Sequence, residues 1–387
     1  KLINANYGHA TGDKVLVAVA RLINSVARKT DVVCRFGGEE FIIFFPTKSE
    51  EAAVLFSQRL IRVIAENSLV SDLQIDLSGF SSDEFLNPPF GDSKKKRCEG
   101  IRAINSTLCK PYVQGGNYGN GVSNGIMTAG SYAFIDHAEV VNPAYACCRA
   151  DANITILNKP YFRFDEHHEG MRGRYLACNN ADQLIIYDGV FSSNLPIETH
   201  TVIDLESDNN GTRSVLIDKL IIDHENYVPK DNNLAIKIAG ARKIDLTKIS
   251  SNQKSKIFLQ VAPDGNKHAE TILVSHSEFF GQINCQGTQV EYMHIRNCHF
   301  KGGTDIAFDN IQNISRLIVE DCIFDGYRQM FGNDGFNGEL IHFKGDNKWR
   351  GREYKNIFYG VRHAKDKLVV DEQMTIELME PPTATPE

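Results

Sequence analysis

Val274-Ser-His-Ser-Glu-Phe279, Ile295-Arg-Asn-Cys-His-Phe300 and Val319-Glu-Asp-Cys-Ile-Phe324 spell one six-residue unit three times. Each copy runs apolar, two polar, small or polar, any residue, aromatic, and each has a glycine two residues later, at Gly281, Gly302 and Gly326. Asn356-Ile-Phe358-Tyr-Gly360 repeats the ending, and weaker copies start at Ile135, Ile156, Ile186, Ile222 and Ile244. The spacing suits one coil of a parallel β-solenoid, which takes roughly 20 or more residues with longer coils carrying loops. In such a coil Phe279, Phe300 and Phe324 stack inside, Cys298 and Cys322 form a small-residue stack, and the following glycines turn the corner. An ordinary β-sandwich with coincidental repeats is the competing architecture.

Outward from this stretch the texture is uniform from about residue 125: short strands, many Asn, Asp and Gly, little helical periodicity. Residues 81–124 are looser, with Asn87-Pro-Pro, Lys94-Lys-Lys-Arg97 and Gly115-Gly-Asn-Tyr-Gly-Asn-Gly, and read as a linker or irregular cap. The expected division is 1–80, 81–124, a β-helix over 125–370 and a tail over 371–387. The chain has 387 residues, 42% hydrophobic and 24% charged, with net charge −7, which excludes disorder, collagen and a coiled coil. No apolar run approaches the ~20 residues of a membrane helix. Without a basic stripe, no nucleic-acid polymer is expected as partner. Nine cysteines without a CxxC pair fit reduced, buried thiols, and favour a cytoplasmic setting for the part holding Cys34.

Residues 1–80 have an α/β pattern. Asp13 is placed to cap a helix over Lys14 to Lys29 whose apolar face is Leu16, Val19, Ala20, Ile23, Val26 and Ala27. Asp31 to Phe36 and Phe41 to Phe45 flank Gly37-Gly-Glu-Glu40 as a hairpin. Ser49 to Asn67 predicts a second helix and Leu73 to Phe80 a further strand.

Arg35-Phe-Gly-Gly-Glu-Glu-Phe41, preceded by Asn4-Ala-Asn-Tyr-Gly-His-Ala-Thr-Gly-Asp13, resembles the GGDEF domain of diguanylate cyclases, in the GGEEF spelling. Arg28-Lys-Thr-Asp31 matches the family's RxxD product-inhibition motif at the usual spacing ahead of Gly37. The resemblance implies Glu40 as a metal ligand for Mg2+ or Mn2+ and Glu39 as a catalytic or metal-adjacent carboxylate. It implies Asn4 and Asp13 as guanine contacts, Arg28 and Asp31 as an inhibitory site, GTP as substrate, cyclic di-GMP as product, and an antiparallel homodimer. The chemistry is coherent: joining two GTP molecules needs metal to neutralise phosphate, and a Gly-Gly turn lets phosphate approach the backbone. Ala5 stands where the family commonly has aspartate. The family's strand with a further metal-binding aspartate would fall just before Lys1, and its C-terminal helix should follow residue 80. Thr107 to Asn117 fits that helix only loosely, with Pro111 inside it. The expectation is a partial cyclase domain, inactive alone.

The C-terminal pattern resembles the right-handed parallel β-helix, pectate-lyase-like superfamily in architecture, which implies an acidic polysaccharide as partner without implying a reaction. The fold class expected for the whole is therefore an α/β GGDEF-like fragment followed by an all-β solenoid. Asp165, Glu166, His168, Arg172 and Arg174 bring together the acids, imidazole and guanidinium needed for glycoside hydrolysis or uronate lysis. Lys348-Trp-Arg-Gly-Arg352 with Arg328 and Asp334 offers a Trp platform and cations. Charged solvent loops are the alternative for both, and Asn180-Ala-Asp182 lacks the partners of a polygalacturonase motif. The functional alternatives are a polysaccharide lyase or hydrolase, or a passive structural or binding module.

Overall fold

The computed structural model describes residues 9–37, 40–44, 56, 60, 74–76, 99–114, 124–143, 145–165, 174–178, 181–193, 201–205, 214–224, 234–263, 268–332, 335–352 and 357–378. The chain divides into two units, one made mainly of residues 1–71 and one of residue 72 onward.

In the first unit, helix α1 (His9–Val26) buries Ile23 and Val26, the innermost residues of the expected apolar stripe. It starts ahead of Asp13, which is exposed and lies inside the helix, so Asp13 is not its cap. Past the helix, Asp31 N–H donates to the Arg28 carbonyl (3.0 Å) and Arg28 N–H to the Asp31 carboxylate (2.6 Å), closing a tight turn. Strands β1 (Val32–Gly37) and β2 (Glu40–Phe44) then pair antiparallel, with Cys34 opposite Ile42 and Gly37 opposite Glu40, as the hairpin pattern predicts. Of the second expected helix, Phe56 and Leu60 are described; both are helical and half-buried.

The second unit is a parallel β-solenoid over residues ~101–377, with three faces. Face A stacks Ala146–Ala150, Arg174–Cys178, Thr201–Leu205, Leu234–Ala239, Ile257–Ala262, Gln282–Asn284 and Ile306–Asp309. Face B stacks Ile154–Asn158, the first halves of Gln183–Ser193, Ser214–Asp223 and Lys243–Ser251, then His268–Ser275, Gln289–Arg296, Ile314–Glu320 and Leu340–Lys344. Face C continues from B within the same coil, through Tyr161–Phe164, Glu278–Phe279, His299–Phe300, Ile323–Asp325 and Lys348–Gly351. Within the stretch expected as linker, Tyr112–Gln114 pairs with Glu139–Val141 and with Gln74–Asp76. Beyond 370, Thr375–Leu378 pairs with Lys348–Gly351.

The B-to-C corner is made by one left-handed residue per coil: Lys110, His137, Lys159, Asp188, Lys219, Lys248, His276, Asn297, Asp321 and Gly345, all with φ between 48 and 72°. Several of these residues still donate their N–H to the next coil, for example His137 to the Asn158 carbonyl at 2.8 Å and Asn297 to the Glu320 carbonyl at 2.9 Å. The strand therefore bends without losing a ladder bond. Left-handed backbone at a non-glycine residue costs about 1–2 kcal/mol, which the unbroken ladder on both sides offsets.

The predicted stacks form. Phe258, Phe279, Phe300 and Phe324 are fully buried, with successive ring centroids 3.7, 4.7 and 4.5 Å apart. Cys298 and Cys322 are buried on adjacent coils, and the column continues into Asn347, whose Oδ1 accepts the Cys322 N–H at 3.0 Å. Gly281, Gly302 and Gly326 take positive φ at the end of face C. The eight described cysteines are all free thiols.

Four expectations need correction. The face B column runs Ile135, Leu157, Ile186, Ile217, Leu246, Val274, Ile295, Val319, Phe343, so the weaker copies at Ile156, Ile222 and Ile244 are out of phase. Trp349 is no surface platform: it pairs with Phe324 in register and is fully buried. Its neighbours Arg350 and Arg352 pair instead with Asp325 and Asp305. Phe358-Tyr-Gly360 leads into a 3-10 segment, Tyr359–Lys367, rather than closing another rung. The helix cap at Asp13 is the fourth, as above.

Phe300 touches Phe279, Phe324 and Tyr327 with no route to solvent, so Phe300→Ala is expected to cost about 3–5 kcal/mol. Gly302→Ala would place a Cβ 2.8 Å from the Asp325 carbonyl at φ +82° and is expected to lower the melting temperature as well. Thermal melts of both variants check this; an unchanged midpoint in either contradicts the buried stack or the corner.

Candidate functional site

In the first unit the hairpin sets the geometry. Gly37 stands opposite Glu40, with an irregularity between Arg35 and Gly37, so Glu40 sits at the end of the described ladder. Glu40 begins β2; Glu39 and Asn4 lie outside the described residues. Asp13 stands exposed on α1. Arg28 and Asp31 are brought together, but through the Arg28 backbone N–H, which leaves the exposed guanidinium outside that contact. The turn explains why the two residues are spaced three apart independently of any ligand.

In the solenoid the predicted cluster does not assemble as one group. Glu166, His168 and Arg172 lie outside the described residues. Asp165, at the end of a face C strand, is ion-paired with Arg163, and its N–H donates to Asn142 Oδ1 at 2.7 Å. Arg174 opens a face A strand and is held elsewhere: Nη2 lies 2.7 Å from Asp204 Oδ2, and Nη1 donates to the Tyr145 hydroxyl at 2.6 Å. The Tyr145 ring also lies under the guanidinium, 5.1 Å from its carbon.

Around Arg174 the structure gathers residues that local sequence does not connect. Arg149, Ala177, Asp204, Lys237, Gln260, Asn284 and Asp309 occupy one continuous outward column on face A. Asp204 is only 3% exposed, with Arg174 at one oxygen and Lys237 Nζ 3.7 Å from the other. Arg149 is half-buried against Asp151. Burying a carboxylate is tolerable only with such partners. Further along, Gln282 and Asn284 both donate to Asp309 Oδ2, at 3.3 and 3.4 Å, and Asn310 to Asn284 Oδ1 at 3.1 Å. The missed signal was the register: these residues are scattered through more than 150 positions and become one line only when the coils are aligned.

Behind this column lies Tyr175, fully buried and stacked on Phe191 at 5.1 Å. Its hydroxyl is 2.8 Å from the Ser192 carbonyl and 2.7 Å from His224 Nε2, so the phenol donates to the carbonyl and the imidazole meets the oxygen. Burial pushes the Tyr175 phenol up and the His224 imidazole down to about 4, Asp223 opposing the latter. Among the described residues no group of three His, Cys, Asp or Glu side chains is arranged to hold a metal, and no helix is long and apolar enough to cross a membrane.

With this geometry in place, comparison with known proteins separates the two units. Residues 1–78 match the family described as diguanylate cyclase, GGDEF domain. Over 72 residues the chain is 43% identical to diguanylate cyclase A of Treponema denticola, covering 19% of each chain. Over 79 residues it is 42% identical to diguanylate cyclase DgcM of Escherichia coli K12, covering 20% of this chain and 17% of that one. A cyclic di-GMP phosphodiesterase of Pseudomonas aeruginosa, NbdA, is 35% identical over 89 residues, 21% of this chain and 11% of that one. The chain thus spans less than a fifth of the length of these curated relatives. No solved structure matches. A GGDEF segment followed by a parallel β-solenoid is what the sequence and the fold together define.

His224 supplies a pH test. Its folded pKa lies below the unfolded value of ~6.5, so the unfolded state binds the extra proton and stability falls as pH drops from about 6.5 towards 4. Replacing the imidazole with His224→Gln should flatten the fall of melting temperature over that interval. An equally steep profile in the variant contradicts a neutral, buried His224.

Proposed function

We propose that residues 1–78 handle guanine nucleotide, with GTP as substrate and cyclic di-GMP as product and inhibitor, and that the solenoid binds an extended acidic polysaccharide along face A. The observation that carries the second half is the unbroken outward column from Arg149 to Asp309. Parallel rungs space the residues of this column ~4.8 Å apart along one line, polar on every rung except Ala177, a spacing a chain molecule can follow and a compact metabolite cannot. Arg149, Arg174 and Lys237 there are matched in number by Asp151, Asp204 and Asp309, and an acidic chain is what the β-helix resemblance implies.

For the first unit, the motif residues divide the work. Asn4 and Asp13 contact guanine. Glu39 and Glu40 are hard oxygen donors that suit Mg2+ or Mn2+; when bound, the ion neutralises phosphate charge. Arg28 and Asp31 take cyclic di-GMP, Arg28 with its exposed guanidinium fork, which matches phosphate geometry. Catalysis by this family resemblance needs two antiparallel copies, and GTP as substrate places this unit in the cytoplasm.

Because the Arg28–Asp31 turn runs through the Arg28 backbone, Arg28→Ala keeps the turn and removes only the guanidinium. Calorimetry should show cyclic di-GMP binding weakened at least tenfold and GTP binding within twofold; equal loss of both contradicts the assignment. For the solenoid, a glycan array should show acidic chains retained and Lys237→Ala should weaken them several-fold. Silence on the array and in an unsaturated-uronate assay, with folded protein, leaves the passive structural module.

A further inference from the structure

Face B carries an indentation that the nucleotide and face A readings do not use. Asp245, Thr247, Leu273, Ser275, His294 and Arg296 enclose about 190 Å3. Register builds it: Asp245, Leu273 and His294 form one outward column, and Thr247, Ser275 and Arg296 its neighbour. Leu273 is the floor, a carboxylate stands one rung to one side of it, and an imidazole one rung to the other. With rungs ~4.8 Å apart, the backbones bearing Asp245 and His294 are about 9.6 Å apart.

The hydrogen-bond directions are fixed. Thr247 Oγ1 is 3.0 Å from Asp245 Oδ1 and 3.0 Å from Ser275 Oγ. A carboxylate only accepts, and a hydroxyl has one hydrogen. Thr247 therefore donates to Asp245, Ser275 donates to Thr247, and the Ser275 oxygen is left as an acceptor. His294 Nε2 lies 2.9 Å from Glu320 Oε2 and donates to it. Lys344 Nζ, 2.8 Å from Glu320 Oε1, holds that carboxyl below the usual range. Arg296 is exposed, and among the described residues neither it nor Asp245 has an ion-pair partner.

The rim thus offers one carboxylate acceptor, one guanidinium donor and the Ser275 hydroxyl oxygen as a neutral acceptor above an aliphatic floor. An ion of either sign meets a like charge at one end of the cavity. A neutral ring with hydroxyls around its edge and C–H groups on its face meets a partner at every point. At about 190 Å3 the space is below the ~300–1,000 Å3 of a drug-sized pocket, which selects one ring rather than a longer chain. We propose that this face B pocket binds a single neutral pyranose unit, with Asp245 accepting its hydroxyl hydrogens, Arg296 donating to its oxygens and Leu273 under its C–H face.

Saturation-transfer NMR on the full chain with the methyl pyranosides of glucose, galactose and mannose, against methyl glucuronide and methyl glucosaminide, tests this. At least one neutral glycoside should be saturated, with the charged analogues at least fivefold weaker. Asp245→Asn and Arg296→Gln, both on the outer surface, should each raise its dissociation constant at least tenfold while thermal melts stay unchanged. No saturation by any neutral glycoside overturns the proposal, as does binding indifferent to both variants or equal binding of a charged analogue.

Discussion

Everything in the larger unit depends on one constraint: each backbone N–H must find a carbonyl on the next coil, directly above or below. In a parallel ladder that requirement sets residue over residue, so an inward position repeats its chemistry from coil to coil and an outward position becomes a line along the axis. The phenylalanine stack, the Ser277–Cys298–Cys322–Asn347 column and the left-handed corner are three consequences of the same pairing. Insertions are tolerated where the ladder is not needed. The coil from Ile186 to Ile217 is longer than that from Val274 to Ile295, yet both keep register.

The same constraint produces the candidate sites. Asp204 is acceptable as a buried carboxylate because the columns put Arg174 and Lys237 on it from neighbouring coils. The face B pocket arises because Asp245 and His294 stand on either side of Leu273 in a column that the register continues through Leu216 and Ile318. In neither case does the local sequence carry the site.

Legibility in the sequence followed from the same physics. The three clear copies could be aligned because their coils are short and bear matched phenylalanines and glycines. The earlier coils could not be phased: Gln183–Ser193 and Ser214–Asp223 are long alternating strands that serve faces B and C in succession, and period-two alternation looks the same after a shift of two. Trp349 was misplaced because its coil carries one extra residue between Phe343 and the aromatic, compared with Val319 and Phe324, and its arginine neighbours suggested a surface. The hairpin and the nucleotide motif were legible because they are local. The solenoid's polar columns are not, since they exist only between coils.

The central claim is the register itself, and a distance measurement reaches it most directly. Lys243, Thr271, Tyr292, Arg316 and Leu340 form one outward column on face B, so Lys243 and Leu340 stand four rungs apart. Spin labels at Lys243→Cys and Leu340→Cys, in a background without Cys34 and Cys98, should give a narrow distribution centred at roughly 19 Å by pulsed electron resonance. A broad distribution, or a centre beyond about 30 Å, would contradict the stacked coils and with them both surface sites.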